Sequence, residues 1–140
     1  QADLLSHLSS RPDASLDAIL CTHVVEHLEP RQLAELVFLA AAKLKPEGLL
    51  AIETPNPGCL AIFAGDFYLD PTHVRPVPSR LLQFLFEEAG LSRIEIEELR
   101  PASELIPEVA GLAKTEEGKA FQQRFFGGRD YAILGTKLAV

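Results

Sequence analysis

The chain alternates short apolar runs with stretches of helical periodicity. Leu16-Asp17-Ala18-Ile19-Leu20-Cys21-Thr22 follows a turn-like Arg11-Pro12-Asp13 and predicts a buried strand. Over residues 31–44, the apolar positions Leu33, Leu36, Val37, Ala40 and Leu44 recur at helical spacing and mark one buried face. Pro30 suits the first turn of that helix, and Lys43 and Lys45 suit its C-terminal end. Pro46-Glu47-Gly48 predicts a turn, and residues 48–54 a second apolar strand. Strand, helix, turn, strand is a crossover unit, so these two strands should be parallel.

Pro55, Pro57, Pro71, Pro76 and Pro78 crowd the next segment, which predicts a long loop with one helical turn near residues 60–64. Loops of that length inside a compact domain are usually functional or mobile. Ser79 is placed to cap a helix that runs through Ala89 and stops at Gly90, burying Leu81, Leu82, Leu85, Phe86 and Ala89. Residues 92–99 alternate around Ile94 and Ile96 as a half-exposed strand. Residues 101–128 read as an insertion with two short helices, the second starting near Thr115 and ending at Gly127-Gly128. Residues 130–138 form a last strand around Tyr131, Ile133 and Leu134. The expected fold is α/β, a mostly parallel sheet with an antiparallel edge in one domain spanning residues 1–140.

Composition narrows the class. The chain has 140 residues, 47% hydrophobic and 24% charged, the mix of a globular domain. A net charge of −7 disfavours general binding to nucleic acid or anionic membranes. No apolar run is long enough for a transmembrane helix, and the start lacks the pattern of a signal peptide. With two cysteines, Cys21 inside an apolar run, reduced thiols in a cytoplasmic protein are the simpler expectation. The chain holds no methionine and begins with Gln1, so it is expected to be a fragment or a processed product.

His23-Val24-Val25-Glu26-His27 matches H-x-x-E-H, a zinc-peptidase motif in which both histidines share a helix face and the glutamate polarises metal-bound water. The context argues against it, because a strand ends at Thr22 and Pro30 follows closely. A third ligand would have to come from Glu95, Glu97, Glu98 or Glu104, and nothing marks any of them. The same residues also sit at the carboxyl end of a sheet strand, where open α/β folds bind ligands. There His23 would point into a cleft, while His27 would either act there or only hydrogen-bond nearby backbone. Phe121, Phe125 and Phe126 have the spacing of a helix face and suit core or interface.

Asp17 to Leu28 resembles the fourth-strand segment of class I S-adenosylmethionine-dependent methyltransferases. Ala42-Lys43-Leu44-Lys45-Pro46-Glu47-Gly48 through Pro57 is similar to the helix end, "LKPGG" turn and fifth strand of that family, with Glu47 replacing the first glycine. Leu82 to Gly90 and the 92–99 strand resemble its next helix and sixth strand. The resemblance implies a Rossmann-like sheet that lacks its first strands, and with them the glycine-rich cofactor loop. It implies S-adenosylmethionine as cofactor, Asp3 as the adenine contact, and Leu4 and His23 beside the cofactor. Asp3 reads equally well as a frayed terminal residue or a helix cap.

Asp70-Pro71-Thr72-His73-Val74-Arg75-Pro76 is similar to a run in methyltransferases associated with bacterial polysaccharide and O-antigen assembly. That implies a small-molecule acceptor, sugar-related. Asp70 and Arg75 are the candidate substrate contacts, and His23 or His73 the catalytic base for an oxygen acceptor. An Asx-turn at Asp70, with His73 and Arg75 bracing the loop, is the structural alternative. The methyltransferase reading requires no metal. A non-catalytic interaction domain of the same fold and a zinc hydrolase are the other classes. Loss of the early strands would expose the strand around Ile19, so a homodimer is expected.

Overall fold

The computed structural model describes residues 3–139. Four strands form one sheet in the order β1-β2-β4-β3, with β1 at Leu16–Thr22, β2 at Leu44–Pro55, β3 at Leu91–Pro101 and β4 at Gly128–Lys137. β1 and β2 are parallel, with Leu20 opposite Ala51. β4 runs antiparallel to both its neighbours, pairing Ile133 with Ile52 and with Ile96. The sheet is therefore mixed, as the pattern predicted.

Helix α1, Leu4–Ser9, precedes β1. Helix α2, Pro30–Lys43, makes the crossover, with Pro30 in its first turn and the Gln32 side chain accepting from the Glu29 amide at 3.0 Å. Its Leu33, Leu36, Val37 and Ala40 are buried against Cys21, Leu50, Ile52 and Ile133 on one sheet face. Two further helices follow, α3 at Asp66–Leu69 and α4 at Ser79–Glu88. Leu82, Leu85 and Phe86 of α4 join the same core, while Leu81 and Ala89 only border it. Strand side chains alternate between faces, and on the opposite face Leu20 is 73% exposed.

Three local expectations are corrected. Residues 46–48 do not break the chain. They lie inside the long β2, where Glu47 takes φ 63° and the register shifts opposite Leu16 and Ala18. Gly48 permits this irregularity, because a Cβ there would lie 2.8 Å from the Lys45 carbonyl oxygen. Ser79 is the first residue of α4 rather than its cap, a place taken by Pro78, although Gly90 at φ 79° follows the helix as expected. The segment before β4 carries three helices, α5 at Ala102–Leu105, α6 at Pro107–Leu112 and α7 at Glu116–Phe125. Pro107 starts the additional one, and Thr115 caps α7 by accepting from Gly118 N. Phe121 on α7 is 49% exposed and stacks on Phe125, so it lies outside the core.

Candidate active site

The carboxyl ends of β1 and β2, the end of β3 and the start of β4 all reach one edge of the sheet. A cavity of about 200 Å3 opens there, lined on the sheet side by His23, Pro55, Arg100 and Asp130. Its other wall is the proline-rich segment, through Ile62, Phe67 and His73. A second apolar cluster of Cys59, Ala61, Ile62, Phe67 and Ala102 holds that wall in place. Asn56 ties it to the sheet by donating from Nδ2 to the Gly128 carbonyl at 2.9 Å.

β1 ends in a sharp turn. His23 has φ 51°, and its amide still donates to the Glu53 carbonyl at 2.9 Å. A single 3-10 turn follows at Val25–His27, and α2 begins only at Pro30. His23 and His27 therefore do not share an α-helical face, and the zinc-peptidase arrangement is not formed. The reason is the one visible in the residues: a strand end on one side and a helix-starting proline on the other.

Arg100 orders the pocket floor. Its Nε pairs with Asp130 Oδ2 at 2.5 Å, and its Nη2 lies 3.3 Å from Glu53 Oε1. Nη2 also donates to His23 Nε2 at 2.8 Å. A guanidinium only donates, so Nε2 of His23 accepts and the ring proton sits on Nδ1. That Nδ1–H donates to Glu26 Oε1 at 3.2 Å. Both ring nitrogens of His23 are thus engaged. Burial pushes the Asp130 carboxyl above the usual carboxylate range, with Arg100 and His23 opposing the shift.

Glu26 is fully buried, and its Oε2 accepts from the Thr54 hydroxyl at 2.8 Å. Its backbone carbonyl accepts from Val74 N at 2.8 Å and Arg75 N at 3.3 Å, which ties the turn after β1 to the proline-rich segment. His73 donates from Nδ1 to the Phe67 carbonyl at 2.6 Å, so the lone pair of the neutral ring is on Nε2. That Nε2 lies 4.0 Å from Glu26 Oε1.

The structure brings His23 and His73 to one cavity and leaves the other candidates outside its lining. Asp70 is exposed and forms an Asx-turn, accepting from Thr72 N at 2.8 Å and from the Thr72 hydroxyl at 2.6 Å, and these Thr72 bonds hold its carboxyl below the usual range. Arg75 is half-buried, and its Nε has no hydrogen-bond partner among the described residues. Asp3 caps α1 by accepting from Ser6 N at 2.9 Å, and Leu4 packs at the border of the main core. Arg100, Asp130, Glu53 and Thr54 escaped the sequence reading, because only strand register brings them beside His23.

A family model described as a methyltransferase domain matches residues 3–96. The chain belongs to this methyltransferase-domain family. The fold of the domain is the Rossmann-like methyltransferase fold, as similar solved structures also show. One is a SAM-dependent methyltransferase from Archaeoglobus fulgidus, with 34% identity over 98% of this chain and a TM-score of 0.87. The chain spans 66% of that protein's length. An O-methyltransferase family protein from Burkholderia thailandensis shares 15% identity over 96% of this chain and 33% of its own, with a TM-score of 0.62. Phosphoethanolamine N-methyltransferase 2 of Haemonchus contortus, in complex with S-adenosylhomocysteine, shares 15% over 93% of this chain and 35% of its own, with a TM-score of 0.63. Among curated proteins, none matches this chain. Among the described residues, no helix is long and apolar enough to cross a membrane.

Proposed function

We propose that this domain carries the acceptor side of an S-adenosylmethionine-dependent methyl-transfer site. The supporting observation is the cavity at the carboxyl edge of the sheet, with His23 on one wall and, on the other, His73, whose Nε2 has no hydrogen-bond partner among the described residues. At about 200 Å3 it is smaller than the roughly 300–1,000 Å3 of a whole-ligand pocket, and it fits the reacting end of the cofactor with part of an acceptor. S-adenosylmethionine supplies an electrophilic methyl group on a sulfonium. Alignment of donor and acceptor then carries most of the rate gain.

In this reading His23 is a positioning residue, fixed by Arg100 and Glu26 at the end of β1. Asp3 and Leu4 on α1 would meet the adenine, using the carboxylate oxygen of Asp3 that is not capping the helix. His73 would take the proton of an acceptor hydroxyl at Nε2, and Asp70 and Arg75 on the same segment would bind the rest of the acceptor. The likeness of residues 70–76 to polysaccharide-associated enzymes favours a sugar-related acceptor. Elements preceding β1 would complete the cofactor site, pair with the outer edge of β1 and cover the sheet face at Leu20, and without them a homodimer would cover that surface.

The test is calorimetric titration of S-adenosylhomocysteine into the longest native polypeptide that contains this chain. Saturable binding that His23→Ala and Asp3→Asn both weaken is the expected result. Absence of binding, or binding that neither variant changes, would sink the assignment.

A further inference from the structure

From the donor atoms around Glu26, we infer that Glu26, His27 and His73 form a binding site for one divalent transition-metal ion of the zinc class. One ligand atom from each of the three lies within 4.8 Å of the others. This set differs from the H-x-x-E-H pairing, because it replaces His23 with a histidine far along the chain.

The proton positions favour coordination. His73 Nδ1–H donates to the Phe67 carbonyl at 2.6 Å, and His27 Nδ1–H faces the Thr72 carbonyl at 3.2 Å and Thr72 Oγ1 at 2.9 Å, whose own proton goes to Asp70 Oδ1 at 2.6 Å. Carbonyl oxygens only accept, so each neutral ring keeps its lone pair on Nε2. A carbonyl on the far nitrogen is the usual support of a metal-binding histidine, since it fixes the tautomer and raises ligand basicity. The two rings also lie with centroids 4.7 Å apart, and Phe67 packs on His73 at 4.6 Å.

The carboxylate points the same way. Glu26 is fully buried, with Thr54 and His23 as its hydrogen-bond partners and no Lys or Arg paired with it among the described residues. A buried anion without a fixed cation is costly. His73 Nε2 stands 4.0 Å from Glu26 Oε1, too far for a hydrogen bond between them. Ligand atoms about 2.0–2.2 Å from one ion would need only a small closure of that gap. Two imidazoles and one carboxylate suit zinc or its neighbours rather than magnesium, which prefers oxygen ligands. The Glu26 carbonyl already holds the amides of Val74 and Arg75, so the distant ligand His73 is kept in range by backbone. The lone pair of His73 cannot hold an ion and accept a proton together, so the ion would block the base proposed above.

The test is binding of Zn2+ by calorimetry and of Co2+ by visible absorption, on the chain freed of metal with a chelator and without any methyl donor. Its failure is therefore separate from failure of the methyltransferase assignment. One ion per chain is expected, with the Co2+ spectrum of a four- or five-coordinate site. H27A and H73A should each weaken binding at least about tenfold. H7A, at an exposed histidine outside the cluster, should bind as the parent does. H27Q serves as the second variant if H73A does not fold. Lack of saturable binding, or unchanged binding in H27A and H73A, or H27Q in its place, would overturn the site.

Discussion

Replacing Thr54 by valine isolates the contact that holds Glu26 in the fold. The Thr54 hydroxyl and the Glu26 carboxylate meet at 2.8 Å with both residues fully buried. Valine keeps the volume of threonine, so the change removes a donor without opening a cavity. A hydrogen bond to a charged group contributes about 1.5–3 kcal/mol, and here its loss leaves a buried carboxylate oxygen without that donor. With a urea dependence of about 2 kcal/mol/M, the unfolding midpoint should fall by about 1 M. Equilibrium urea unfolding at neutral pH with a chelator present, followed by far-UV circular dichroism, measures this. Thr22→Val, on the exposed end of β1, is the control and should stay within about 0.5 kcal/mol of the parent. In an E26Q background T54V should cost less, since the two residues act on each other. A T54V midpoint equal to that of the parent would refute the view that this bond stabilises the buried carboxylate.

Three further outcomes follow from the same structure. Leu36→Ala, at a fully buried position of α2, should cost about 2–5 kcal/mol in the same unfolding assay. Hydrogen bonds from Lys43 and Lys45 lower the carboxyls of Asp13 and Asp17 below their ordinary 3.8. The stability these pairs supply is therefore present above that value and lost as pH falls through the lower folded values. Midpoints taken from about pH 5 to pH 2 should accordingly drop less steeply in D13N and D17N than in the parent. The outer edge of β1 has no partner strand among the described residues, and Leu20 is 73% exposed. The isolated chain should thus self-associate in sedimentation, Leu20→Lys should shift it toward monomer, and a monomeric parent at high concentration would refute this.

The parts of the fold legible in the sequence are those with local periodicity. Leu33, Leu36, Val37 and Ala40 announce α2, and the apolar runs announce β1 and β2, because each pattern reports burial on one face. The passage at 46–48 was not legible. Pro46-Glu47-Gly48 has turn chemistry, and only pairing with β1 turns it into an irregularity within a strand. The site divides along the same line. His23 was marked by its place after a strand, and His73 by a distinctive run. Nothing local marks Arg100 and Asp130, since their meeting depends on β3 and β4 pairing Leu99 with Asp130. The burial of Glu26 was equally hidden, as it needs Thr54 from the neighbouring strand.

The turn at His23 biases which residues the position holds. A φ of 51° lies in the left-handed region, where a side chain costs about 1–2 kcal/mol and where glycine, asparagine, aspartate and histidine are over-represented. Backbone shape therefore favours a short vocabulary at this position, of which only histidine carries an imidazole, although Glu47 and Arg100 show that other side chains reach the same region in this fold. Variants to glycine or asparagine would keep the path of the chain out of β1 while removing the ring held by Arg100. Valine or isoleucine would strain the path itself. Among related sequences, an exchange within the short vocabulary would report a change of chemistry on an unchanged scaffold, and a β-branched residue would report a different turn.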